Sequence, residues 1–157
     1  MTLSLTQKES SLLEDMKSQE SLCIAKYEKY SSLAKDGALK NIFTDLATAE
    51  RSHLTTLTNI LAGEEVRMSS ASPSATDSVA SPSECSSACS PEDKQNDAFL
   101  VKDALSMEKH VSSVYNTAIF EFRSPTLRDT LAHIQKEEQN HGEKLYSYLA
   151  CNNMYGG

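Results

Sequence analysis

Apolar positions recur along this chain at spacings of three, four and seven residues, the period of a helix with one buried face. The first stripe takes in Leu13, Met16, Cys23, Ile24, Tyr27 and Ala34. It breaks at Asp36-Gly37, and a second follows through Leu39, Ile42, Phe43, Leu46, Leu57, Ile60 and Leu61. After a long polar gap, a third runs through Leu100, Val101, Ala104, Val111, Tyr115, Ala118 and Phe122. Ser124-Pro125 ends it, a serine N-cap followed by proline at the first helical position. The fourth stripe is Leu127, Leu131, Ile134, Leu145 and Leu149. Turns this short fold each helix pair back on itself. The pattern predicts an all-α four-helix bundle, two antiparallel hairpins joined by a long crossover.

The two hairpins are also related in sequence. At an offset of 88, ten of the 50 positions from Leu12 to Leu61 are identical to their counterparts, among them Glu20 with Glu108, Tyr27 with Tyr115, Glu50 with Glu138 and His53 with His141. The period is too long for a solenoid and reads as a duplicated helical hairpin. Between the halves, residues 69–90 hold ten serines in 22, and Val79 is their only large aliphatic side chain. Such a stretch buries too little surface to offset its ordering entropy, so the expectation is a mobile crossover that the bundle does not need. One domain is expected over residues 1–157: a helix pair at 5–62, a crossover at 63–95, a second pair at 96–150 and a tail at 151–157.

Charge narrows the partners. Lys and Arg total 15 against 22 Asp and Glu, a net charge of −7, and no basic cluster interrupts that balance. Nucleic acid and anionic membrane are therefore excluded as expected partners. No apolar run reaches the ~18 residues of a membrane span. The first residues lack the basic and apolar regions of a signal peptide, so synthesis in the cytoplasm is expected. Four cysteines are too few for a disulfide scaffold and lack C-x-x-C spacing. Cys23 reads as a small core residue. The role of Cys85 and Cys89, crosslink or weak metal ligand, stays open.

The informative residues stand where the stripes should be apolar. Glu20 interrupts the first stripe, Glu50 and His53 the second, Glu108 the third, and Glu138 and His141 the fourth. An unpaired buried carboxylate costs several kcal/mol, so four facing inward require compensation. Their heights agree. Glu20 and Glu108 lie 16 residues before the break in their own half, and Glu50 and Glu138 lie 14 after it. At about 1.5 Å per residue, all four fall in one layer of the bundle. Within each Glu-x-x-His, positions i and i+3 share a face and can reach one metal centre.

Four Glu and two His are the ligand set of ferritin-like dimetal bundles. Two divalent ions would neutralise the four carboxylates. By symmetry Glu20 and Glu108 are expected as terminal ligands, Glu50 and Glu138 as bridges, and His53 and His141 as caps on one ion each. Imidazole with hard oxygen donors suits two transition-metal ions, iron first, with manganese or zinc as alternatives. Tyr27 and Tyr115 lie two turns beyond the first Glu of each half. Either they pack in the core, or each hydroxyl supports the layer by bonding a bridging carboxylate. His110 and His133 fall off the layer and read as solvated.

Several segments resemble one family. Residues 12–30 (LLEDMKSQESLCIAKYEKY), 114–123 (VYNTAIFEFR), 133–144 (HIQKEEQNHGEK) and 153–155 (NMY) are similar to the coat F family of spore coat proteins. The resemblance covers both helical halves and the tail, and leaves out the Ser-rich crossover. It implies a ferritin-like bundle, a place in the spore coat and other coat proteins as partners, without a defined activity. Rubrerythrins share the Glu and Glu-x-x-His layout. They add a further Glu on the third helix, where Leu105 and Val111 flank Glu108 here. Bacterioferritin matches the ligand count, but its haem-binding Met falls at Ser52 and its fifth helix has no counterpart.

These readings lead to a spore-coat-like di-iron carboxylate protein that reacts with O₂ or peroxide in the manner of rubrerythrin, with a homodimer as the expected assembly. The first alternative is a structural coat protein in which the metal layer only stabilises the bundle. The second is bacterioferritin-like iron storage.

Overall fold

A computed structural model describes residues 3–66 and 89–155 of the protein. Four helices make up these residues: α1 (Gln7–Leu33), α2 (Gly37–Leu61), α3 (Pro91–Ile119) and α4 (Pro125–Cys151). Each begins at a side chain that accepts a backbone N–H of the first turn: Thr6, Asp36, Ser90 and Ser124. Such N-caps satisfy donors that have no partner inside the helix. Thr6 and Glu9 form a reciprocal capping box.

The helix α3 opens at Pro91, five residues ahead of the expected boundary at 96. Ser90-Pro91-Glu92-Asp93 is the reason. Serine caps, proline takes the first position, and two acids face the positive end of the helix. The Ser-rich stretch expected to be a mobile crossover lies outside the described residues except for Cys89 and Ser90, and Cys85 lies outside them as well. At the other end, α4 closes with Asn153 at φ 54°, a left-handed position that asparagine tolerates. Tyr155 then packs edge-on against Tyr146.

The pairs α1/α2 and α3/α4 pack as hairpins, and α1 lies on α3 and α2 on α4. The chain pairs α1 and α3 in opposite directions. Asn96, near the start of α3, donates to the carbonyl of Leu33 at the end of α1, while Arg123, just past α3, donates its backbone N–H to Glu9 at the start of α1. The core is the inward stripe of all four helices, including Leu13, Met16, Tyr27, Phe43, Leu57, Tyr115, Leu131 and Leu145, all at zero exposure. Cys23 belongs to this core. Among the described residues, no helix is long and apolar enough to cross a membrane.

The sequence duplication appears as crosswise contacts. Glu9 accepts the backbone N–H of Arg123 at 2.9 Å, and Asp97, 88 positions later, accepts that of Lys35, 88 positions earlier, at 2.8 Å. Asp97 also takes the N–H of Asp36 at 2.9 Å. Each half thus supplies an acid from its first helix that pins the turn of the other half. Both acids are buried, at 2% and 1% exposure. Burial works to raise Glu9, but hydrogen bonds from Arg123 and Thr6 bring it down to about 2.

Candidate metal centre

All six residues singled out in the stripes come together in one buried layer. Glu20, Glu50, His53, Glu108, Glu138 and His141 are each exposed by 5% or less. Helical periodicity alone brings them there, because every one replaces an apolar residue on the inward face. His53 Nδ1 lies 3.0 Å from Glu50 Oε2 and 3.2 Å from Glu138 Oε1. His141 Nδ1 lies 3.0 Å from Glu50 Oε1 and 3.2 Å from Glu138 Oε2. The two rings stack with centroids 5.7 Å apart. The terminal carboxylates stand slightly farther off, Glu20 at 3.7 Å from His53 and Glu108 at 3.6 Å from His141.

Two four-residue groups follow from this geometry. One is Glu20, Glu50, His53 and Glu138, and the other is Glu50, Glu108, Glu138 and His141, with donor atoms within 4.8 Å of one another in each. Each group offers one imidazole nitrogen and three carboxylate oxygens, a set that could hold a divalent transition metal. Glu50 and Glu138 belong to both groups. Three oxygens in the layer, one each on Glu20, Glu108 and Glu138, are buried outside hydrogen-bond geometry, and the Glu138 oxygen has only its charge contact with His141. Buried acceptors of this kind are costly, and a cation would satisfy them. The residues fit a metal pair.

The tyrosines differ from expectation in one respect. Both support the layer, but neither bonds Glu50 or Glu138. Tyr27 donates to Glu108 and Tyr115 to Glu20, at 2.5 Å for the second. The cause is the antiparallel packing of α1 on α3, which sets each tyrosine beside the first-helix carboxylate of the other half. Glu50 and Glu138 sit on α2 and α4, nearer the imidazoles.

Glu137 is the residue that the stripe pattern missed. Its Oε2 lies 2.5 Å from His53 Nε2, and its Oε1 lies 3.1 Å from Nε2 of His133. His133, expected to be solvated, is exposed but tied to the layer through this carboxylate. Glu137 is half-exposed, so a search for polar residues inside apolar stripes passes over it. The duplication gave no signal either, because its counterpart is Ala49. On the His141 side, Ala49 and Ser52 line a cavity of about 290 Å³ that Glu137, His141 and Lys144 also border.

Burial and partners divide the metal-free layer into two kinds of carboxyl group. Burial pushes Glu20 up to about 9, with His53 pulling it down and neighbouring Glu50 adding to the rise. Glu108 is raised well above the carboxylate range in the same way, by burial against His141, with Glu138 adding. Burial also works to raise Glu50 and Glu138, but hydrogen bonds from His141 and His53 outweigh it and hold both below the usual range. Burial would lower the two imidazoles. Glu137 and Glu138 for His53, and Glu108 and Glu138 for His141, keep both well above the ordinary value. The layer thus pairs two carboxyl groups pushed toward the neutral form with two carboxylates and two imidazoles pushed toward the charged form, and Glu137, lowered by its bond with His53, adds a further carboxylate at the edge. The hydroxyls of Tyr27 and Tyr115 are raised by burial and by the carboxyl each one faces, so both remain protonated donors.

Residues 96–156 match the Coat F domain, a span that carries Glu108, Tyr115, Glu137, Glu138 and His141. No curated protein and no solved structure matches the chain. The other half of the layer comes from α1 and α2, outside the matched span, where the duplication repeats Glu, Tyr and Glu-x-x-His. The hairpin of the third and fourth helices is thus the part of the chain that is similar to the Coat F domain.

Proposed function

We propose that this protein is a spore coat component whose bundle holds a pair of transition-metal ions, iron first, in the Glu50–Glu138 layer. The observation that supports this most is the sharing of Glu50 and Glu138 between two complete four-residue groups. In this reading Glu20 and His53 complete the first position, and Glu108 and His141 the second. Bound there, the two ions would supply redox chemistry toward O₂ or peroxide.

The protein's own groups have defined parts. Glu50 and Glu138, with Glu20, His53, Glu108 and His141, would hold the ions in their deprotonated forms, so binding would release protons from the layer. Tyr27 and Tyr115 keep Glu108 and Glu20 oriented from behind. Glu137 holds the His53 ring by Nε2, leaving Nδ1 toward the layer.

A second reading has its own support. In the metal-free layer the imidazoles already pair with Glu50 and Glu138, so the bundle can stand without ions and serve as a structural coat element. Elemental analysis of protein purified without chelator separates the two. The metal reading expects about two iron, manganese or zinc ions per chain in wild type and a loss of most of them in Glu50→Ala. Equal, near-zero content in both proteins would leave the structural reading standing.

A further inference from the structure

The two halves share the buried layer but differ outside it, and the difference opens one side. A cavity of about 460 Å³ lies between α3 and α4, and Glu108 and Glu138 line it. This volume falls within the ~300–1,000 Å³ of small-molecule sites. Both carboxylates are nine-tenths buried or more, and each has an oxygen outside hydrogen-bond geometry. Ser112, Asn116, Gln139 and Gly142, small or uncharged polar residues, are among the others that line it, with Leu105 and Lys109 beside them.

At four of the matching positions the first half carries larger or charged side chains, whereas Ser21, Ala25 and Ala47 stand for Lys109, Ser113 and Gln135. Ile24 stands for Ser112 and Leu54 for Gly142. Glu28 and Arg51 stand for Asn116 and Gln139, and they form an ion pair between α1 and α2. Duplication alone would give two equivalent sides. Instead the α1–α2 side carries apolar bulk under an ion pair, while on the α3–α4 side a Gly and a Ser leave space above the layer.

From this asymmetry we propose that the α3–α4 cavity is the port by which a small exogenous ligand, with a nitrogen or oxygen donor at its leading end, reaches the metal layer. The inference rests on the metal reading above and adds to it a side and a class of ligand. The ammonium of Lys109 favours an anionic ligand. Gly142 lies on the wall of the cavity, one residue beyond His141. A Cβ placed there would meet only Leu105 Cδ1, at 3.6 Å, an ordinary contact, so a larger side chain fits the fold and enters the cavity.

The test uses the full chain loaded with iron, oxidised to iron(III), and azide as the probe, followed by the visible absorption of the adduct. Metal content is measured on each sample. Wild type should form the adduct, and Gly142→Leu should keep its iron while binding azide about tenfold more slowly or worse, as expected for a closed gate. The double variant Asn116→Glu with Gln139→Arg changes only exposed positions and rebuilds the first half's ion pair over the opening. It should slow azide in the same direction. Iron-loaded wild type that forms no adduct, or Gly142→Leu that binds azide at the wild-type rate, would overturn the port alone. Wild type that retains no iron would overturn the metal reading and the port with it.

Discussion

Glu137 holds the Nε2 side of His53, whereas Ala49 occupies the corresponding place beside His141. A carboxylate behind a ligating imidazole fixes its ring and raises its basicity, and its loss typically costs about 10–100-fold in metal affinity. Glu137→Ala should therefore weaken the tighter of the two binding steps by about that factor, measured by competition with a chromophoric chelator. An unchanged isotherm would remove Glu137 from the site. Tyr27→Phe and Tyr115→Phe act differently. Each removes a buried donor from a carboxyl group, and should cost the metal-free protein about 1–3 kcal/mol in denaturant unfolding. Stoichiometry should remain at two ions, because the ligating oxygens stay. The six inward residues were legible in the sequence because helical period, equal height and duplication all pointed to one layer. The partners of the tyrosines were not. They depend on which helix lies against which, and periodicity along one helix carries no such information.

At the scale of the elements, the two acids at the starts of α1 and α3 join the halves. Asp97 takes two backbone N–H groups from the α1–α2 turn, and its Ala variant would leave both without this partner, that of Asp36 buried and that of Lys35 partly so. That loss should cost about 1–3 kcal/mol for the unsatisfied groups, read from the urea midpoint. Glu9→Gln should cost less near neutral pH, since amide oxygen can still accept from Arg123. The variant should also remove the part of acid unfolding that falls between about pH 4.5 and 2, where wild-type Glu9 takes up its proton. These crosswise pins escaped the pattern of the stripes because they sit at helix ends, and because Glu in one half answers to Asp in the other, which a count of identities ignores. The early start of α3 was written in Ser90-Pro91-Glu92-Asp93, but the serine-rich composition before it hid the cap.

The whole molecule should respond to pH in a way that depends on metal. In the folded, metal-free state Glu20 keeps its proton up to about 9 against an ordinary value of 4.5, and Glu108 is raised as well. The folded protein therefore binds more protons than the unfolded chain above pH 4.5, and stability falls as pH rises. His53 and His141, raised above 6.5, add to the fall beyond that point. Glu50 and Glu138, held low, act in the opposite sense only below about 4.5. The Tm of the metal-free protein should thus be highest near pH 5 and drop by several degrees or more toward pH 9, about 2–8 °C for each kcal/mol lost. With ions present the trend should reverse over the same range, since deprotonated ligands bind metal more tightly as pH rises. Parallel Tm curves with and without Fe²⁺ or Mn²⁺ would contradict the reversal, and a metal-free Tm that does not fall toward pH 9 would contradict the first statement.

The layer between Glu50 and Glu138 is the centre of the account, and anomalous diffraction looks at it directly. Crystals of protein prepared without chelator, measured on both sides of the iron edge, should show two peaks in that layer. One should lie among Glu20, Glu50, His53 and Glu138, and the other among Glu50, Glu108, Glu138 and His141. A map with no anomalous peak at the layer, from protein offered Fe²⁺ or Mn²⁺ before crystallisation, would contradict the dimetal reading.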